Sequence, residues 1–177
     1  EELKSTLTQE EQLIHPARFA MVEVENIHDE ALQFEPIHRV LFNVDPADFM
    51  AEFKKVYPNA YEGAGEGHTI TYVWEGNEGT ITVPDPTCEL AVGTLQNFLD
   101  EYLLEHPAEI DYIHGDDVLR GLAEAPGAIG FLLPPLAKAD FFRAVSTLGI
   151  LPRKTFSMGH AHEKRFYMEC KAIVPEK

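Results

Sequence analysis

The segment Pro152–Arg153–Lys154–Thr155–Phe156–Ser157–Met158–Gly159–His160 gathers two cations, two hydroxyls and a glycine in one short stretch. Anion recognition needs these groups. A guanidinium makes forked contacts with phosphate or carboxylate, an ammonium acts as a point charge, and hydroxyl and backbone N–H groups donate. The glycine-rich spacing that precedes the lysine of a P-loop is missing. The plainer alternative is a solvated basic loop paired with acids elsewhere in the chain. Further on, His160, His162 and Glu163 are metal-type donors. A closed zinc site takes four ligands and no second cluster is evident, so no metal site is expected.

Two other segments carry histidine beside charge. Glu35–Pro36–Ile37–His38–Arg39 sets a His and an Arg at the head of a strand. His38 shares a face with Val40 and Phe42, which favours an inward, satisfied imidazole over an acid–base or phosphate role. Asp111–Tyr112–Ile113–His114–Gly115–Asp116–Asp117 puts His114 and two acids where a strand passes into a helix. Ligands often bind at such turns in open sheets, although first-turn acids are also favoured by the helix dipole alone. The candidate anion- or substrate-binding residues are therefore Arg153, Lys154, Thr155, Ser157, His38, Arg39 and His114, on the expectation that the three segments fold toward one cleft. No GxSxG elbow, HExxH pair or nucleophile–base spacing occurs, so no catalytic residue is named.

Charge narrows the partners. The chain has 177 residues, 14 Lys and Arg against 30 Asp and Glu, and a net charge of −16. Such a field repels phosphate backbones and anionic lipid, which argues against nucleic acid and membrane; the expected ligand, a small anionic metabolite, follows from the cations of the 152–160 segment. The distribution is uneven: residues 138–177 hold eight bases and four acids, and residues 1–137 hold six and 26. Hydrophobic residues make up 45% and charged residues 25%, the balance of a single globular domain with a core. No apolar run reaches the ~20 residues of a transmembrane helix, no signal-peptide layout opens the chain, and cytoplasm is the expected location. Cys88 and Cys170 are the only cysteines. They lack CxxC partners and read as reduced packing residues.

The elements that must position these residues follow from periodicity. Residues 1–14 read as a helical remnant of a preceding region, with a start signal at Thr8–Gln9–Glu10–Glu11. Alternation marks strands at 18–25 and 37–44, read as a pair. Asp45–Pro46 opens a helix with the stripe Phe49, Met50, Phe53, Val56, Tyr57. A β-hairpin spans 69–83 around Gly76–Asn77–Glu78–Gly79. Helices follow at Leu95–Leu103, Asp116–Ala123 and Ala137–Leu148, strands at Ile110–Ile113 and Ala128–Leu133, and a polar loop from Leu151 to Lys164 leads to a last strand, Arg165–Val174. Residues 128–133 are apolar on both parities, the pattern of a central strand covered on both faces. This order predicts an α+β fold: a mixed, mainly antiparallel sheet with helices packed on its faces.

Taken together, His15–Pro16–Ala17–Arg18–Phe19–Ala20, Phe34–Glu35–Pro36–Ile37–His38–Arg39–Val40, Asp111–Tyr112–Ile113–His114–Gly115 and the 152–160 segment resemble, in order, the later part of the domain-of-unknown-function 1015 family. Members of that family are longer. Their front portion carries an Asp-Gly-Asn/His-His type motif similar to the ParB/sulfiredoxin-like superfamily, and this motif does not occur here. The resemblance implies that the chain is the C-terminal fragment of a longer protein and that the missing N-terminal domain is one of its partners. Family genes often lie near those of serine biosynthesis, and the superfamily includes nucleotide-binding proteins and free-serine kinases. It further implies that nucleotide, Mg and the catalytic carboxylate belong to the absent portion, with no cofactor expected in this fragment.

Two functions are compatible with these features. The first is the accessory substrate- or phosphate-binding half of a small-molecule, serine-related phosphotransfer enzyme, kinase-like and inactive alone. The second is a non-catalytic module that binds an anionic metabolite or a protein partner, a homo-oligomer included. The first expects the three segments on one concave surface, and the second an exposed apolar patch where a partner docks.

Overall fold

The computed structural model describes residues 2–19 and 24–159. Local signals set most of the elements. Helix α1 spans Glu2–Thr6 and α2 Gln9–Ile14. Thr8 caps α2 reciprocally: the Glu11 N–H donates to the Thr8 hydroxyl at 3.3 Å, and the Thr8 N–H donates to the Glu11 carboxylate at 2.8 Å. A 3-10 turn follows at Pro16–Arg18. Asp45 caps α3 (Pro46–Val56), its Oδ1 accepting from the Ala47 and Asp48 N–H groups at 2.9 and 3.1 Å.

Seven strands form one sheet: β1 (Phe34–Phe42), β2 (Tyr61–Glu62), β3 (His68–Trp74), β4 (Asn77–Val83), β5 (Glu109–His114), β6 (Ala128–Leu132) and β7 (Phe156–Met158). The order is β2-β4-β3-β6-β1-β5, with β7 against the first residues of β1, and every described pairing is antiparallel. Helices α4 (Ala91–Glu105), α5 (Asp116–Leu122) and α6 (Lys138–Leu148) complete the α+β architecture. β6 lies between β1 and β3 and is buried throughout, as its two-sided apolar pattern requires. Two crossovers interleave. The path from β1 through α3 to β3 straddles β6, and the path from β5 through α5 to β6 straddles β1. The strands of the two crossovers run in opposite directions, so a common hand puts their helices on opposite faces.

Residue alternation then sorts the core. Leu41, Ile70, Tyr72, Ile81, Ile129 and Phe131 face α3 and α4, where they meet Phe49, Phe53, Leu95, Phe98 and Leu99. Val40, Val73, Ile113 and Leu132 face α5 and pack on Leu119 and Ala123. Gly130 of β6 permits that second contact, because a Cβ there would meet Val73 Cγ2 at 3.0 Å and Leu119 Cγ at 3.1 Å.

Two expectations need revision. The hairpin is present, but its turn is Glu75–Gly76, both at positive φ (45° and 74°), and Asn77–Gly79 belong to β4. A two-residue turn of this kind matches the strand twist, and a Glu75 N–H bond to Ala123 O at 2.9 Å holds it. The polar loop after α6 contains β7, whose Ser157 stands opposite Glu35. Among the described residues β1 pairs with β5, β6 and β7, and the 18–25 stretch was the partner expected for it. That stretch begins in the 3-10 turn and runs into residues 20–23, outside the described residues. The last expected strand, 165–174, also lies outside them.

Candidate functional site

Consecutive residues on a strand point to opposite faces, and this decides the fate of His38 and Arg39. Arg39 faces α4 from the middle of β1, flanked by Tyr112 of β5 and Phe131 of β6. It is fully buried. Its guanidinium spends its donors on three main-chain oxygens and one side chain: Nη2 donates to Arg153 O at 2.8 Å, Nη1 to Lys154 O at 3.0 Å and to Ile37 O, and Nε to Gln96 Oε1 at 3.3 Å. The Tyr112 ring lies 5.1 Å from its central carbon. Burial pulls Arg39 down to about 10, which leaves it charged at neutral pH. A buried cation is costly unless hydrogen-bonded, and here the bonds go to the backbone of the basic loop.

The loop is fixed at two further points. Phe156 stacks on Phe34, with centroids 4.4 Å apart, and meets Phe141 of α6 edge-on at 5.9 Å. The Thr155 hydroxyl donates to Pro152 O and closes the turn inward. Lys154 sits at φ 53° in the left-handed region, a conformation a lysine rarely adopts. Arg153 and Lys154 thus turn their carbonyls in, to Arg39, and carry their exposed side chains outward.

Arg153 rims a cleft of about 500 Å³ between α4 and the 148–153 segment. The α4 wall carries Gly93, Gln96, Asn97 and Asp100, a stripe at helical spacing beside the helix's apolar face. Gly93 lets the loop approach, since a Cβ would meet Cys88 Cβ at 3.2 Å and Pro152 Cγ at 3.5 Å. Asp100 accepts from Gln96 Nε2 at 2.7 Å and from the Arg153 guanidinium, which lies 5.8 Å from the Tyr112 centroid.

His38 belongs to the other face. Its Nδ1 accepts the Leu133 N–H at 3.1 Å, so Nε2 carries the proton and donates to Asp116 Oδ1 at 2.9 Å. Burial holds this imidazole below its ordinary value despite Asp116. It joins β1, the end of β6 and the first turn of α5, the satisfied inward histidine that alternation suggested. His114 pairs in register with Ile37 and is half-buried. Ser157 lies on β7, its hydroxyl 3.4 Å from Gly159 O.

Of the seven candidates, the structure brings Arg39, Arg153, Lys154 and Thr155 together around one turn, with Ser157 on the adjoining strand. It puts His38 on the opposite face, so no single receptor gathers all seven. Tyr112, Gln96 and Asp100 complete the cluster and were not among the candidates. The stripe at 93, 96, 97 and 100 was the available signal. Among the described residues no group of three or more His, Cys, Asp or Glu could hold a metal, and His160, His162 and Glu163 lie outside them. Among the described residues no helix is long and apolar enough to cross a membrane.

An antiparallel α+β sheet domain with a basic loop pinned by a buried arginine defines the class. The profile of the family described as "Protein of unknown function (DUF1015)" matches residues 1–102, and the chain belongs to that family. Comparison with curated proteins finds no match. Among solved structures the fold resembles that of a chain titled "Free serine kinase (E30A mutant) in complex with AMP", at a TM-score of 0.58 and 16% identity. The likeness covers 77% of this chain and 58% of that one, so this chain spans little more than half of the kinase's length.

Proposed function

We propose that this chain is the accessory, ligand-holding half of a small-molecule phosphotransfer enzyme, with Arg153 and Lys154 as the contacts to a phosphate or other anionic group. The observation that supports this most is the Arg39 bracket. A fully buried cation holds the carbonyls of two successive cationic residues, one of them in a strained backbone conformation, and so fixes the turn from which both side chains leave, that of Arg153 at the cleft, before any ligand arrives. In this reading a serine-related metabolite is the substrate, consistent with the activity named for the kinase of similar fold. The nucleotide, Mg and the catalytic carboxylate come from another portion of a longer protein of which residues 1–177 form one domain, and the chain alone does not turn over.

Phosphate titration by NMR tests the site. Inorganic phosphate and phosphoserine should shift the 153–157 amides at low salt. The K154G variant should fold as well as the parent or better, since glycine accepts positive φ, yet bind phosphate several-fold more weakly. Unperturbed amides, or an unaltered response in K154G, would remove Lys154 from the site. The non-catalytic docking module is the second reading. Ile150 (88% exposed), Phe142 (60%) and Met158 (54%) stand out near the same segment and favour it.

A further inference from the structure

We propose that Asp100 is the gate of the Arg153–Lys154 site, a carboxylate that occupies Arg153 until a dianionic phosphate ester displaces it. The inference rests on the reading above and deepens it, naming the charge of the ligand and the residue that selects for it. Asp100 lies one helical turn after Gln96 on α4 and is held by the Gln96 amide at 2.7 Å. Gln96 is 3% exposed, and its Oε1 accepts from buried Arg39. The carboxylate is therefore anchored from below. Its partner is not: the Arg153 side chain is 58% exposed, and apart from Asp100 it has the face of Tyr112 beside it. Of the two, the guanidinium is the one able to swing away.

A monoanionic carboxylate ligand would offer Arg153 only what Asp100 already supplies from a fixed position. A phosphate monoester carries about two negative charges at neutral pH and can reach Arg153 and Lys154 together. Two guanidiniums stand by Asp100, Arg153 directly and Arg39 through Gln96, and Lys154 adjoins Arg153 in the chain, an excess of positive charge that a dianion offsets further than a monoanion.

The full chain, its D100N and D100S variants and the D100N/R153Q double variant would be titrated with inorganic phosphate, sulfate and acetate at about pH 8, where phosphate is dianionic. Phosphate and sulfate should bind the parent and acetate should not. Both single variants should tighten phosphate about two- to fivefold, the range that an exposed ion pair is worth, and the double variant should lose that gain. Phosphate binding that is unchanged or weaker in D100N and D100S overturns the gate and leaves the anion site standing, as does a gain that survives R153Q. Phosphate that binds neither the parent nor the single variants removes site and gate together.

Discussion

Arg39 and His38 show how much one step along a strand changes a residue's work. Both were candidates for ligand contact from their types and neighbours, and both are spent on backbone groups of their own chain. Alternation along β1 announced that they face apart. It could not announce that the carbonyls of Arg153 and Lys154 would arrive over Arg39, 114 and 115 residues on. That assignment carries a prediction. R39M leaves both carbonyls unpaired in a buried place and should cost about 1–3 kcal/mol. R39K should fare little better, because a single ammonium cannot span the fork. Urea denaturation, with hydrogen exchange at Thr155 and Phe156, reads both effects, and an R39K variant as stable as the parent would contradict the bracket.

Among the elements, those with strong local signals were legible in advance: α3 with its Asp45–Pro46 start, α4 with its apolar stripe, β6 with its two-sided apolar run, and the hairpin. β7 was not. Its three residues lack a period of their own, and they are a strand because Phe156 is drawn against Phe34 and Phe141. The turn of the hairpin shifted for a similar reason, since the bond from Glu75 to Ala123 O fixes it from a distant helix end. Helix α5 approaches β6 closely over Gly130. G130A should therefore overpack the contact with Val73, Leu119 and Ala123 and cost about 1–3 kcal/mol. A thermal melt measures it, and an unchanged Tm would show that α5 can lift without penalty.

For the whole molecule, protons couple to folding through two histidines on different faces. Burial depresses His38 and His68 below the ordinary 6.5. Each is neutral in the fold and protonates more readily when unfolded. Stability should therefore be full above about pH 6.5 and decline as pH falls through the depressed values, because the unfolded chain then binds more protons. Denaturation midpoints across that range should slope accordingly. The slope should flatten in H38N, which keeps an acceptor for the Leu133 N–H and lacks the titration, and an identical slope would acquit His38. The net charge of −16 and the basic 138–177 segment could be counted from the sequence, and with them the expectation of an anionic ligand. By itself the sequence determined composition, charge and the local pieces, because capping, hydrophobic period and turn chemistry act over a few residues. The sheet order, the meeting of His38 with Asp116 and the bracket that presents Arg153 and Lys154 were decided only in three dimensions, since each depends on groups far apart in the chain whose meeting no local period encodes.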